Sequence, residues 1–345
     1  MDKYKISLLE KYMSIEIIAE LAQGFEGKPE QAKLLMLAAS KAKADAVKYQ
    51  LVYADELATT DYEYHELFQS LEMPDEVWHE LASYAKQLKI KLQFDIFGEK
   101  SLKLAEEVKV DTVKLHGTDI ANIGLLNKVS FSTIKRVILG AGGAFLSELE
   151  RALDILNDKE VVVLFGYQGY PTPIDTNQIS RIQLFKHMVG DSRDNVIVGF
   201  ADHAEPDSEL SYAIAATSIG AGAKVIEKHL TLGKTMELED HESALNPDEF
   251  LIFSETVRNC AKAYEGAIHE NDFGMSDAEY NYRKLIRRHV VSVKNLSKNT
   301  IIKHDDVGLK RTSSESFLTD IESVYNKVVL NDIQENAPIL PESVK

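Results

Sequence analysis

The chain has 345 residues, 44% of them hydrophobic and 27% charged, enough apolar content for a sizeable core and too much for a disordered chain. Its 39 Lys and Arg against 55 Asp and Glu leave a net charge of −16, which repels nucleic-acid and anionic-membrane surfaces and confines any anion site to a local pocket. A single cysteine rules out an intrachain disulfide framework and any multi-cysteine zinc or iron–sulfur centre.

No apolar run reaches the roughly 18 residues of a membrane span. The opening MDKYKISLLEKYM has charges but no apolar h-region, so no signal peptide is expected and the protein reads as soluble and cytoplasmic. From there, short β-rich runs alternate with helical patterns. The runs are IEIIAELA from Ile15, ADAVKYQLV to Val52, KLQFDIF to Phe97 and DTVKLHG to Gly117. They continue with RVILGAGG to Gly143, VVVLFGY to Tyr167, VIVGFADH to His203 and AKVIEKHLT to Thr231. Segments such as PEQAKLLMLAASKAK and LSELERALDILND lie between them, with apolar residues at helical spacing. Eight apolar strands alternating with amphipathic helices predict a parallel sheet covered by helices, and the count favours a closed (β/α)8 barrel. An open doubly wound sheet is the alternative, but AQGFEG lacks the spacing of its dinucleotide fingerprint.

The helical PDEFLIFSETVRNCAKAYEG should close a barrel spanning residues 1–266. The polar stretch 267–284 reads as a linker. In 285–345, short β runs separated by Asn, Ser and Asp turns predict a small β-rich domain.

Active sites of such barrels lie at the C-terminal ends of the strands. There the sequence places Glu20, Lys48, Gln50, Asp95, Lys114, His116, Tyr167, Asp202, His203, Glu227 and His229. Charged groups are costly in buried strands unless paired or functional, so their recurrence at one end reads as a functional ring more readily than as scattered core polars. His203 and His229 end adjacent strands and could share a divalent ion with Glu20, Asp202 or Glu227. The plainer alternative is two imidazoles bonded to backbone. Lys48 and Lys114 suit either an anion site or a Schiff base. Asp240 and His241 lie on a loop over the same face, where an acidic run is as easily a solvated loop. Gly140, Gly142 and Gly143 could let a ligand approach the backbone. Cys260 and Trp78 read as core.

Taken in order, IIAELAQGFEG, ADAVKYQ, VKLHGTDIANIGLL, YPTP, GFADH, AKVIEKHLT and DHESALNPDEF resemble the sialic acid synthase family, and RRHVVSVKNLSKNTIIKHDDVGLKR resembles its antifreeze-like (SAF) domain. The resemblance runs from about Glu16 to Ile339. It implies a barrel followed by an SAF domain, and a divalent-metal-dependent condensation of phosphoenolpyruvate with a sugar aldehyde such as N-acetylmannosamine, releasing phosphate and forming a 2-keto-3-deoxy acid. The implied metal is Mn²⁺, with Mg²⁺, Co²⁺ or Zn²⁺ as alternatives. The implied assembly is a homodimer whose SAF domain reaches over the partner's barrel. By motif, His203 and His229 resemble the metal ligands, and Glu20, Gln50, Tyr170 and Asp240 resemble residues facing the acceptor sugar. Lys48 and Lys114 resemble the donor-binding lysines, Glu227 an acid near the metal, and Arg311 the SAF-domain arginine that crosses to the partner.

The sequence departs from the family pattern around the donor. Asp95 stands where threonine is usual, Gly117 and Ala201 replace serines, and Gly140 and Ala141 replace Ser-Thr. Each lost charged hydrogen bond would cost about 1.5–3 kcal/mol, and Asp95 is expected to repel a phosphate. Two outcomes are open: backbone amides of the glycines with His116 and Thr118 bind phosphate instead, or the donor has changed. The corresponding functions are a synthase, an aldolase or lyase with another donor, or a non-catalytic sugar-binding homologue.

Overall fold

The computed structural model describes residues 15–167, 169–207, 210–264, 275–313 and 318–345. Eight parallel strands close into a barrel: β1 (Glu16–Ala22), β2 (Ala46–Gln50), β3 (Lys91–Asp95), β4 (Thr112–Leu115), β5 (Arg136–Gly140), β6 (Glu160–Phe165), β7 (Val196–Asp202) and β8 (Val225–His229). β8 pairs with β1, so no edge remains. The predicted barrel and all eight predicted strands are present.

Two apolar layers follow from the two-residue period of the strands. One set of side chains, Ile18, Ala46, Ile138, Val162, Leu164, Ala201 and Val225, fills the barrel interior. The other set faces the surrounding helices, and Trp78 shows how that packing works. From the helix α1 (Asp75–Leu88) its ring meets Phe25, Tyr49 and Phe94 edge-on at 5.3–5.8 Å, a geometry favoured by the ring quadrupoles. Cys260, on the closing helix α2 (Pro247–Tyr264), is partly buried against the same core.

The chain divides into two compact units between Glu265 and Gly266. Of the stretch expected to be a linker, 267–274 lies outside the described residues, but Asp277–Ile286 forms a helix, α3. The stretch read as linker, 267–284, thus carries most of a helix at its C-terminal end. The Ser276 side chain caps α3 by accepting from the Glu279 amide at 3.1 Å, and acids in its first turn and bases in its last suit the helix dipole. None of its residues is buried.

The second unit contains the antiparallel pair β9 (His289–Ser292) and β10 (Val307–Lys310), with isolated bridges such as Leu296–Ile333 and Val329–Val344. Val290, Leu296, Ile302, Val307, Val324, Val329, Ile333, Ile339 and Val344 make its own small core. Among the described residues no helix is long and apolar enough to cross a membrane.

Candidate active site

The interior parity that carries Ile18 and Ala46 carries Glu20 and Lys48 two residues further on, at the C-terminal end. Register then decides neighbours: Glu20 pairs with Lys48 on one side and His229 on the other, and Asp95 pairs with Gln50 and Lys114. A buried charge cluster results. Lys48 Nζ donates to Glu20 Oε2 and, at 2.7 Å, to Asp95 Oδ1, and lies 3.3 Å from Glu227 Oε2. Lys114 Nζ donates to Glu227 Oε1 at 2.7 Å and lies 3.8 Å from Asp95 Oδ2. All five side chains are buried.

Three carboxyls therefore share two ammonium groups, and the surplus negative charge has to be met by a proton. Burial, reinforced by the Asp95 and Glu227 carboxylates against the pull of Lys48, pushes Glu20 up to about 8. Burial also acts on Asp95 and Glu227, but Lys114 and Lys48 outweigh it and hold both below the usual carboxylate range, with His116 helping at Asp95. Lys48 is held charged by Asp95, Glu20 and Glu227 in spite of burial. With Glu20 protonated the cluster is neutral.

His203 and His229 stand beside this cluster with ring centroids 5.2 Å apart, and Tyr170 meets both edge-on at 5.5 and 5.6 Å. Burial keeps both imidazoles neutral; the second His ring adds to this at His203, and Lys48 and Lys114 add to it at His229. His203 is fixed through its backbone, since its carbonyl accepts from the Thr172 amide at 2.9 Å and from Ser243 Oγ at 3.1 Å. Thus the loops after β6 and β8 both hold the end of β7. Asp202 and Lys228 occupy the opposite parity. Lys228 Nζ donates to the Ala204 carbonyl at 2.9 Å and to Asp202 Oδ1 at 3.3 Å, and Asp202 Oδ1 also accepts from the Ala204 amide. Asp202 therefore braces the turn after β7.

For a metal ion, the donor set is two neutral imidazoles, and His203 Nδ1 is buried with no hydrogen-bond partner. Those features fit a divalent ion held by the two histidines. Among the described residues, no three His, Cys, Asp or Glu side chains gather into a metal-binding group, so Glu20, Asp202 and Glu227 do not complete a set of ligands.

Of the other predicted residues, Gln50 is buried and its Oε1 accepts from Gln23 Nε2 at 2.7 Å. Asp240 is half-buried on the loop after β8, where burial and the neighbouring Glu239 and Glu242 push its carboxyl up to about 6. Arg311 belongs to the second unit, is exposed, and donates from Nε to the Ile286 carbonyl at 3.2 Å. Asp95 does not stand as the isolated repulsive charge expected from the sequence. Lys48 and His116 bond its two oxygens at 2.7 Å each, so its charge is matched within the site. Asp95 and His116 were visible as strand-end residues; their pairing across neighbouring strands was not.

Residues 35–269 match the model of the NeuB family, and residues 287–345 match that of the SAF domain. The chain belongs to the NeuB family. Its relatives there include the N,N′-diacetyllegionaminic acid synthase of Campylobacter jejuni, 26% identical over 339 residues, 93% of this chain and 97% of the relative. Among solved structures, the N-acetylneuraminic acid (sialic acid) synthetase of Leptospira borgpetersenii in complex with citrate superposes with a TM-score of 0.68 at 25% identity, covering 79% of this chain and 92% of that one. The spore coat polysaccharide biosynthesis protein of Bacillus subtilis does so with 0.64 at 25% identity, covering 96% and 95%. NeuB membership and the SAF match agree with the resemblance carried by GFADH, VIEKH and the later DH of Asp240 and His241.

Proposed function

We propose that this NeuB-family chain condenses phosphoenolpyruvate with a sugar aldehyde of the N-acetylmannosamine type and one water, which adds at C2 as the C–O bond to phosphate breaks, forming a 2-keto-3-deoxy acidic sugar and releasing phosphate. The observation that carries this reading is the neutral cluster of Lys48, Lys114, Glu20, Asp95 and Glu227 lying directly beside the His203–His229 pair. Two fixed ammonium groups can hold a polyanionic donor in an otherwise acidic protein. Tyr170, Gln50 and Asp240 border the same end of the barrel and face the acceptor. His203 and His229 would hold a divalent ion, Mn²⁺ in the first instance, which when bound supplies Lewis acidity toward the acceptor's carbonyl oxygen.

Within the chain itself, Lys48 and Lys114 orient the donor by charge, so that its enol carbon faces the acceptor aldehyde. Glu20 is the group that holds a proton at neutral pH, and it can release or recover one beside the carbon where positive charge develops. Glu227 keeps Lys114 in place when the donor is absent. We further propose a homodimer in which Arg311 of one SAF domain serves the partner's acceptor site.

The test is phosphate release from phosphoenolpyruvate with N-acetylmannosamine and related aldehydes in the presence of Mn²⁺. Release matched by keto-acid formation is expected. Absence of release across the aldehyde panel defeats the proposal. A second reading, an aldolase using another donor such as pyruvate, is favoured by one observation: Lys48 and Lys114 are already outnumbered by Glu20, Asp95 and Glu227. Pyruvate-dependent turnover without phosphate release would select it.

A further inference from the structure

The last paired residues of the β7–β8 ladder are Asp202 and Lys228, and His203 and His229 are the next residues along. Beyond that pair the ladder supplies no further register. Each histidine carbonyl is held by a loop: His203 by the Thr172 amide and Ser243 Oγ, His229 by the Leu245 amide at 3.0 Å. Among the described residues, none of these bonds joins the two strand ends directly. One ammonium group does, on the opposite parity. Lys228 Nζ donates to the Ala204 carbonyl at 2.9 Å and to Asp202 Oδ1 at 3.3 Å, and Asp202 Oδ1 accepts from the Ala204 amide at 2.9 Å. Lys228 therefore grips the residues on both sides of His203 and is itself the residue before His229. Because side chains alternate along a strand, the grip lies on one face and the imidazoles on the other.

Both side chains of this pair are buried, and Asp202 Oδ2 has no hydrogen-bond partner among the described residues. A buried pair with an unmet oxygen is a poor source of stability. The desolvation of two charges offsets their attraction, and apolar residues of similar volume often serve the fold as well. What such a pair does well is fix register, since another alignment strands a charge. The quantity that register sets here is the separation of the imidazoles, whose ring centroids lie 5.2 Å apart. Metal–nitrogen bonds of about 2 Å leave little slack in that separation.

We propose that Lys228 is a positioning residue for the metal site: by clamping Asp202 and Ala204, around His203, to the strand that ends in His229, it sets the spacing at which both imidazoles reach one divalent ion. This rests on the reading of His203 and His229 as the ligands. Lys228 faces away from the ion and from both substrates, so it acts through the two histidines alone.

The experiment titrates Mn²⁺ calorimetrically into the full chain and reads the visible spectrum of bound Co²⁺, with fold and unfolding midpoint followed by circular dichroism. The variants are Lys228→Met, the double variant Lys228→Met with Asp202→Asn, His203→Ala, and Arg136→Met at the other end of the barrel. Lys228→Met alone leaves Asp202 an unpaired buried charge. The double variant removes both charges while Asn keeps an acceptor for the Ala204 amide, so it is the deciding one. It should bind Mn²⁺ at least about tenfold more weakly, with a changed Co²⁺ spectrum and an unfolding midpoint near that of the unaltered chain. Arg136→Met should bind Mn²⁺ as the unaltered chain does. Unchanged Mn²⁺ affinity in the folded double variant overturns the assignment, and so does an equal loss in Arg136→Met, which would mean general loosening. Loss of fold in the double variant overturns it as well, because the pair would then support the fold itself. A chain that binds no Mn²⁺, or binds it unaffected by His203→Ala, defeats the two-histidine reading and the assignment with it. Weaker binding in the double variant, in a chain that releases no phosphate with any aldehyde, supports the assignment while defeating the synthase reading. Normal phosphate release with unchanged Mn²⁺ affinity in the double variant does the reverse.

Discussion

The two ends of the barrel use the same kinds of residue for opposite purposes. At the N-terminal end, Arg136 of β5 bonds Glu16 of β1 and lies 3.1 Å from Glu160 of β6, while Lys91 of β3 stands 3.5 Å from Glu16. Two acids meet two bases, and the Lys91 and Glu160 side chains reach water. At the C-terminal end, three carboxyls meet two lysines with both lysines buried, and two neutral histidines lie beside them. Balanced charge near solvent closes the barrel. Unbalanced charge away from solvent stores a proton and leaves ammonium groups that an incoming anion can claim. Ion pairs alone say little about function; their stoichiometry and burial say more.

The largest test of this contrast is stability. Lys48→Met leaves Glu20, Asp95 and Glu227 around a lost ammonium and should cost about 3–5 kcal/mol in chemical denaturation. Arg136→Met at the other end should cost about 1 kcal/mol, because its acids are closer to water. Equal costs would erase the distinction between the two ends. Next comes activity under the proposed function. His203→Ala should lower turnover at least about 100-fold, roughly 2.7 kcal/mol.

A pH series sharpens the comparison further. Glu20 binds its proton more tightly in the folded chain, at about 8, than its ordinary value of 4.5, so the folded state holds more protons between those limits. Stability from this group is present below about pH 4.5 and lost as pH rises through 8. Glu20→Gln should flatten that decline between pH 5 and 9 by several kcal/mol. Asp95 and Glu227, held low by their lysines, are ionised throughout that window and do not confuse it. The smallest effect is expected at Asp240. Its half-buried carboxyl is pushed up to about 6, and its backbone φ of +64° is one asparagine tolerates. Asp240→Asn should therefore stabilise the chain at pH 7.5 by about 1 kcal/mol or less, read as a small rise in melting temperature that disappears near pH 4.

Much of this was legible without coordinates. Runs such as VIVGFADH and AKVIEKHLT show strand period, and their polar last residues show where the working end lies. Because a strand's side chains alternate strictly, the parity that buries Ile18 and Val225 also aims Glu20, Glu227 and His229 inward. The helix Asp277–Ile286 is passed over because the stretch around it is polar, although Ala278, Tyr282, Leu285 and Ile286 recur at helical spacing behind a Ser cap and a charge gradient.

The sequence by itself determined the eight-strand alternation, the second small unit and the identity of the ring residues, because periodicity and strand-end position are local properties. The tertiary structure decided which of those residues meet. Asp95 reads as a liability for an anion site when taken alone, and becomes part of a matched group once β3 lies between β2 and β4 and brings Lys48, Lys114 and His116 around it. The proton on Glu20 is likewise no property of a glutamate in IIAELA. It follows from counting charges in a closed, buried ring, and only barrel closure between β8 and β1, bringing Glu227 and His229 alongside, completes that count.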